Sequence, residues 1–339
     1  MESGECIPYA HTGIITSSPE ELSDVEKRWV AFQPYLLSKG YQLRPRYRPG
    51  WIPSWKHTNW DPMSCEDSGN ALPIRTLDAT RLSDHLQVII KMIIPSNEDR
   101  EGEEELDIVR HVSSSPYSAD PRNHTVECLE SFAIPGVDRG EFFVMPLLRE
   151  YNDPPFRSLD EIRDFLVQIF EGLVFLHEND IAHCDIASAN IMMNGRLLFK
   201  QSICVPNDRF GIILLTLVMQ NGFVTPTNPG FYDPFKANIY QLGAVLRRDL
   251  IPQYPAMKFL LPLSQQMTDY DLTKRPTLGQ AYQVLITQFN GLSRLRICWP
   301  LVTRDASLWQ RYTVLILGAA AELVLHLKQL MTIFLGRAT

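Results

Sequence analysis

The chain has 339 residues, 45% hydrophobic and 21% charged, which excludes a disordered protein and allows two domains or one bilobed one. A net charge of −7 and a pI near 5.7 argue against nucleic acid as the main partner. Cysteines 6, 65, 128, 184, 204 and 298 stand singly, with no zinc-type cluster, and Glu2 and Glu5 do not open a signal peptide, so a reducing, cytoplasmic setting is expected.

In chain order, residues 1–17 are expected to lack structure. Ser18-Pro19-Glu20-Glu21 reads as a helix start, with a capping Ser and a Pro in the first turn, and Gly40 as its stop. Arg44, Arg46 and Arg48 then interleave with Trp51, Trp55 and Trp60. Such a basic aromatic patch can bind RNA or lipid. Pro45, Pro49, Pro53 and Pro62 favour instead a strap packed on its own domain, so 18–62 is assigned to a helix plus strap.

A small domain over 63–148 is expected to hold an antiparallel sheet. Arg75–Arg81 and Gln87–Ile94 read as strands joined by Leu82-Ser83-Asp84-His85. Lys91 interrupts the second apolar run, an expensive position for an ammonium without an anionic partner. The plainer alternative is a lysine snorkelling to solvent. Glu103-Glu104-Glu105 opens a helix, its acids at the positive end of the dipole. Glu105 is the best partner for Lys91, because Leu106, Ile108 and Val109 place an apolar face beside it; Glu104 is second. The run Phe143-Val-Met145-Pro-Leu147-Leu148 closes this domain.

A helical domain is expected over 149–295. Ile162, Phe165, Leu166, Ile169, Leu173 and Leu176 recur at helical spacing over Leu159–Glu178. Next comes His183-Cys184-Asp185-Ile-Ala-Ser-Ala-Asn190, between the strand-like pairs Ile181-Ala182 and Ile191-Met192-Met193. An Asp followed five residues later by Asn suits phosphoryl transfer: Asp185 meets a substrate hydroxyl while Asn190 holds magnesium. The tail, 296–339, is apolar over Tyr312 to Gly336, near the length that spans a bilayer. Glu322, His326 and Lys328 fall inside it, and Gly318, Glu322, His326 and Gln329 form one polar stripe. Residues 312–336 are therefore expected to lie on a surface, a membrane or another chain, rather than to span.

From about Glu20 to Phe289 these motifs, in this order, resemble a divergent eukaryotic protein kinase of the kind abundant in mushroom-forming fungi. The matching stretches are Arg44-Pro-Arg-Tyr-Arg-Pro-Gly-Trp51, Asp78-Ala-Thr-Arg81, Phe143–Leu148, Glu171-Gly-Leu-Val-Phe-Leu-His177, the Asp185 loop, Asp233–Gly243 and Met267–Thr277. The resemblance implies an α+β, bilobed protein-kinase-like fold with a small antiparallel β lobe and a helical large lobe. It implies ATP and Mg2+ as cofactors and Ser or Thr hydroxyls on proteins as substrates. Asp185 would be the base, Asn190 a metal ligand, Lys91 with Glu105 the nucleotide anchor, and Met145 and Leu147 would lie at the hinge.

The sequence departs from that pattern in five places. Cys184 stands where an Arg usually grips an activation-loop phosphate, which a thiol cannot do. Ala187 and Ala189 stand where a Lys or Arg approaches the transferred phosphate, and losing one such charge costs ~10²-fold or more. No Gly-rich loop precedes Lys91. The segment 195–231 holds Asp208-Arg-Phe-Gly211 in place of Asp-Phe-Gly; one extra residue turns the following side chains over, so Asp208 reads as a solvated turn residue. Asn238 replaces an Asp that accepts catalytic-loop N–H groups, and Asp233 is the acid placed to pair with Arg275. Four functions compete: a weak or conditional protein kinase, a pseudokinase scaffold, an aminoglycoside- or choline-type phosphotransferase, or a membrane-tethered scaffold in which the tail dominates. Arg275-Pro-Thr277 speaks against the small-molecule phosphotransferase.

Overall fold

The computed structural model describes residues 18–68, 75–94, 101–194, 212–214, 220–221, 233–316 and 318–319. The protein is mixed α+β, and it divides into two compact units, residues 1–114 with 126–147, and 115–125 with 148–339. The N-terminal helix and strap thus belong to the first unit, and 115–125 to the second.

The first unit is built on a five-stranded antiparallel sheet of order β1-β2-β3-β5-β4: β1 (Tyr41–Leu43), β2 (Thr76–Arg81), β3 (Leu86–Ile93), β4 (Glu130–Ala133) and β5 (Glu141–Pro146). Alternation along β3 sends Val88, Ile90 and Met92 to one face, where they join Trp29, Phe32 and Leu36 of helix α1 (Asp24–Ser38), with Phe132, Phe142 and Val144. Lys91 therefore points to the opposite face, the side of helix α2 (Glu101–Val112). The turn joining β2 and β3 closes with His85 at φ 59°.

Helix α1 starts five residues later than Ser18-Pro19 suggested. Ser23 and Glu26 form a capping box, Ser23 Oγ accepting from the Glu26 N–H and Glu26 Oε2 accepting from the Ser23 N–H. The carbonyls of Pro19 and Glu21 are instead turned to the Arg46 guanidinium, which holds that stretch out of a helical ladder. Arg46 also donates through Nε to Glu26 Oε1 at 2.6 Å, and its guanidinium lies 4.8 Å from the Trp51 ring centroid. Arg44 pairs with Asp78 at 2.9 Å and Arg48 donates to the Leu43 carbonyl. Trp55 is buried, and Trp51 donates to Asp67. Each arginine of the strap is engaged inside the unit.

The second unit carries helix α3 (Leu159–Glu178), capped by Ser158, whose Oγ accepts from the Glu161 N–H. Its buried face comprises the residues read from the periodicity. Around it lie helices α4 (Pro234–Val245), α5 (Leu261–Met267), α6 (Leu278–Asn290) and α7 (Arg294–Cys298). Strand β6 (Arg149–Glu150), β8 (Ile191–Met193) and β9 (Ile212–Leu214) form one small sheet, and β7 (Ile181–Ala182) pairs with β10 (Gln220–Asn221). The two strands flanking the Asp185 loop thus pair outward to different partners. Where α4 crosses α5, a Cβ on Gly243 would stand 2.6 Å from Met267 Cβ, so only glycine allows that approach.

Candidate functional site

In the first unit, Lys91 Nζ lies 2.6 Å from Glu105 Oε1, with both residues buried. The sheet alternation and the apolar face of α2 bring them together, as the isolated charge on β3 suggested. Burial raises the Glu105 carboxyl above its ordinary value, and the Lys91 charge opposes that rise. Glu104 is only half-buried. Met145 lies opposite Ile89 in the sheet with its side chain buried. The Leu147 side chain is exposed and its N–H donates to the Gln87 carbonyl at 3.1 Å, so that donor is already committed.

In the second unit, the loop between β7 and β8 brings Asp185 and Asn190 together. Asn190 Nδ2 donates to Asp185 Oδ2 at 2.8 Å and to the Asp185 carbonyl at 2.9 Å. Holding the amide nitrogen this way turns Asn190 Oδ1 away from Asp185. That oxygen is a hard, neutral donor of the type magnesium accepts beside a carboxylate and phosphate oxygens, so the pair fits a magnesium site that draws few ligands from protein. Among the described residues, no group of three or more His, Cys, Asp or Glu is gathered as for a metal held by protein alone. Asp208 lies outside the described residues.

The loop owes its shape to α4. Asn238 and Gln241 are three residues apart and so share one face of that helix. Asn238 Oδ1 accepts from the Cys184 N–H at 2.9 Å. Gln241 Nε2 donates to the Cys184 carbonyl at 2.8 Å, and Gln241 Oε1 accepts from the Ile186 N–H at 3.2 Å. Main-chain groups on both sides of Asp185 are therefore gripped by two neutral amides. Cys184 sits at φ 62°, a left-handed conformation uncommon outside glycine, and this brace is what holds it there. Asn238 was readable from the sequence as the weaker substitute for an Asp. Gln241 was not; two amides at helical spacing among Ile239, Leu242 and Gly243 were the signal.

Asn238 has a second duty. Its Nδ2 donates to His177 Nε2 at 3.1 Å, which requires that ring nitrogen to be unprotonated. Burial holds His177 down at about 4, against a weak opposing effect of the Asp233 carboxylate. An unfolded His titrates near 6.5, so between about 6.5 and about 4 the unfolded chain takes up a proton that the native chain refuses. Stability present at neutral pH is therefore lost as pH falls through that window, by about 2–3 kcal/mol near pH ~4.5. His177→Gln, which does not titrate, should remove that part of the slope in urea melts at the two pH values. An unchanged slope would reject the assignment.

Beyond Asp185, Ser188 donates to Asp249 on the π-helical turn Leu246–Leu250, and Tyr151 donates to Ser188 Oγ at 3.5 Å. Ala187 and Ala189 bring no charge to this side of the loop. The expected Arg275–Asp233 pair is absent. Asp233 Oδ1 caps α4 by accepting from the Lys236 N–H. Arg275 donates to the carbonyls of Asp269 and Lys236 and lies over the Tyr240 ring at 4.9 Å. A carboxylate already satisfied by a helix N-terminus gains little from turning to a guanidinium that two carbonyls hold. The four described cysteines, 65, 128, 184 and 298, are free thiols.

No protein-family model matches this chain, and no curated protein matches it.

Proposed function

We propose that the chain is a protein-kinase-like phosphotransferase acting on Ser or Thr hydroxyls of proteins, with ATP and Mg2+ as cofactors and a cytoplasmic setting. The observation that carries this is the Asp185–Asn190 pair, hydrogen-bonded to each other within a loop whose main chain is gripped from α4. Asp185 keeps Oδ1 for a substrate hydroxyl and accepts its proton as the bond to phosphorus forms. Asn190 offers its carbonyl oxygen to magnesium, which when bound neutralises phosphate charge. The buried Lys91–Glu105 pair has the form of a nucleotide anchor: a cation fixed by an adjacent acid and kept from solvent. The α+β architecture, with its antiparallel sheet and separate helical unit, suits the bilobed kinase-like arrangement.

A second reading has a specific observation behind it. With no charge at 187 or 189 and a thiol at 184, the loop lacks the cations that ordinarily assist transfer. In that case the same residues bind nucleotide or protein without turnover. Magnesium-ATP should raise the melting temperature of the purified chain, and Lys91→Met should reduce nucleotide affinity ~10-fold or more, the loss of a charge-assisted contact. Radiolabelled phosphate moving to a protein panel supports the kinase; binding without transfer supports the scaffold. An absence of any ATP-dependent shift rejects the kinase and a nucleotide-binding scaffold alike.

A further inference from the structure

We infer that the C-terminal helix is a peripheral membrane anchor that lies on anionic lipid, its apolar stripe facing outward from the second unit. Residues 308–316 and 318–319 are helical. Ser307 caps the start, its Oγ accepting from the Gln310 N–H and its own N–H donating to Gln310 Oε1. At 3.6 residues per turn, Leu308, Trp309, Tyr312, Leu315, Ile316 and Ala319 fall within one arc of about 120°. The five large side chains are 72, 83, 61, 48 and 67% exposed in that order, the most concentrated set of bare apolar groups among the described residues. The opposite side carries the contact with the body. Gly318 is buried there, and a Cβ on it would stand 2.9 Å from Pro300 Cδ. The helix is thus fixed to the unit by its back while its apolar front faces away.

Charge complementarity selects the occupant. Residues 291–339 hold six Lys or Arg against two Asp or Glu, a net +4, whereas the remaining chain carries −11. Arg294, Arg296, Arg304 and Arg311 are all exposed, and Arg311 donates to the Arg304 carbonyl, which sets both beside the start of the helix. An apolar stripe with Trp and Tyr on it, flanked by arginines on an otherwise acidic protein, matches the headgroup region of an anionic leaflet. A second copy docking through its own matching stripe would bring the same positive edge and repel. The sequence continues the pattern, with Leu323, Leu327, Leu330 and Phe334 prolonging the steps of three and four that begin at Leu308.

The full-length protein, spun with vesicles of phosphatidylcholine alone or with phosphatidylserine added, should sediment with the latter and release as salt rises. Leu308→Ser/Trp309→Ser/Ile316→Ser should lower partitioning ~100-fold or more, while Arg294→Gln/Arg304→Gln should cost roughly fivefold per arginine on anionic vesicles only. Should the triple variant melt early, Trp309→Ser alone still decides the matter. Brominated lipid should quench tryptophan emission of the parent and lose that part of the quenching in the variant. A parent that ignores both vesicle types, or a triple variant that sediments like the parent, overturns the inference. A parent that dimerises through these side chains and leaves vesicles alone overturns it too, and gives the stripe to a second copy.

Discussion

Asp185→Asn should cut phosphate transfer by ~10²–10⁴-fold, with the fold intact. The substitution is nearly isosteric, and an amide oxygen at that position still accepts from Asn190 Nδ2, as Asp185 Oδ2 does at 2.8 Å. The grips of Asn238 and Gln241 fall on main-chain groups of Cys184 and Ile186, which the substitution leaves alone. What disappears is a base able to take the hydroxyl proton. Single-turnover transfer to an acceptor protein, set beside a thermal melt, separates the two effects. Transfer at the parent's rate would remove Asp185 from the chemistry. A collapse of the melt would show that the carboxylate is needed for the loop's shape, which the hydrogen bonds give no reason to expect.

Arg46→Met should be the most damaging single change in the first unit, lowering unfolding free energy by about 3–5 kcal/mol. Glu26 is fully buried and Arg46 nearly so, and they meet at 2.6 Å. The guanidinium also satisfies the carbonyls of Pro19, Glu21 and Asp67. Methionine fills similar space but leaves a carboxylate in the core with no cation and three acceptors with no donor. Glu26→Gln added to Arg46→Met should recover part of the loss, because it removes the uncompensated charge. Urea denaturation measures both. A loss under about 1 kcal/mol for Arg46→Met would mean that water reaches Glu26, contrary to its burial. By contrast Lys27–Asp24, mostly exposed, should be dispensable.

These arginines show where the sequence stops being legible. Arg44, Arg46 and Arg48 among three tryptophans look like a surface for a polyanion, and the prolines alone argued for a strap. In the fold, irregular backbone without a ladder of its own turns its carbonyls to Arg46, a contact that no local pattern announces. The same competition moved the start of α1 from Ser18 to Ser23, since both serines have Glu three residues on and only one stretch was free to coil. Period-based features read well: α3, the β2–β3 turn and the Asp185 loop lie where spacing put them. Lys91 and Glu105 read well for a different reason, because a charge in an apolar run demands its opposite. Arg275 did not, as a guanidinium is satisfied by carbonyls as readily as by an acid, and composition cannot tell these apart. Gln241 carried no motif at all; its role exists only through the distance from α4 to Cys184.

The brace from α4 holds Cys184 by its amide hydrogen and its carbonyl and makes no demand on the thiol. The brace itself therefore acts on the main chain at the position where the resemblance expects a phosphate-gripping Arg. Those two grips fall on peptide groups, so a substitution at 184 keeps them as long as the new side chain tolerates a left-handed φ of 62°. On the proposed function, this loop takes its shape from α4 and should not need the phosphate grip that the usual Arg supplies.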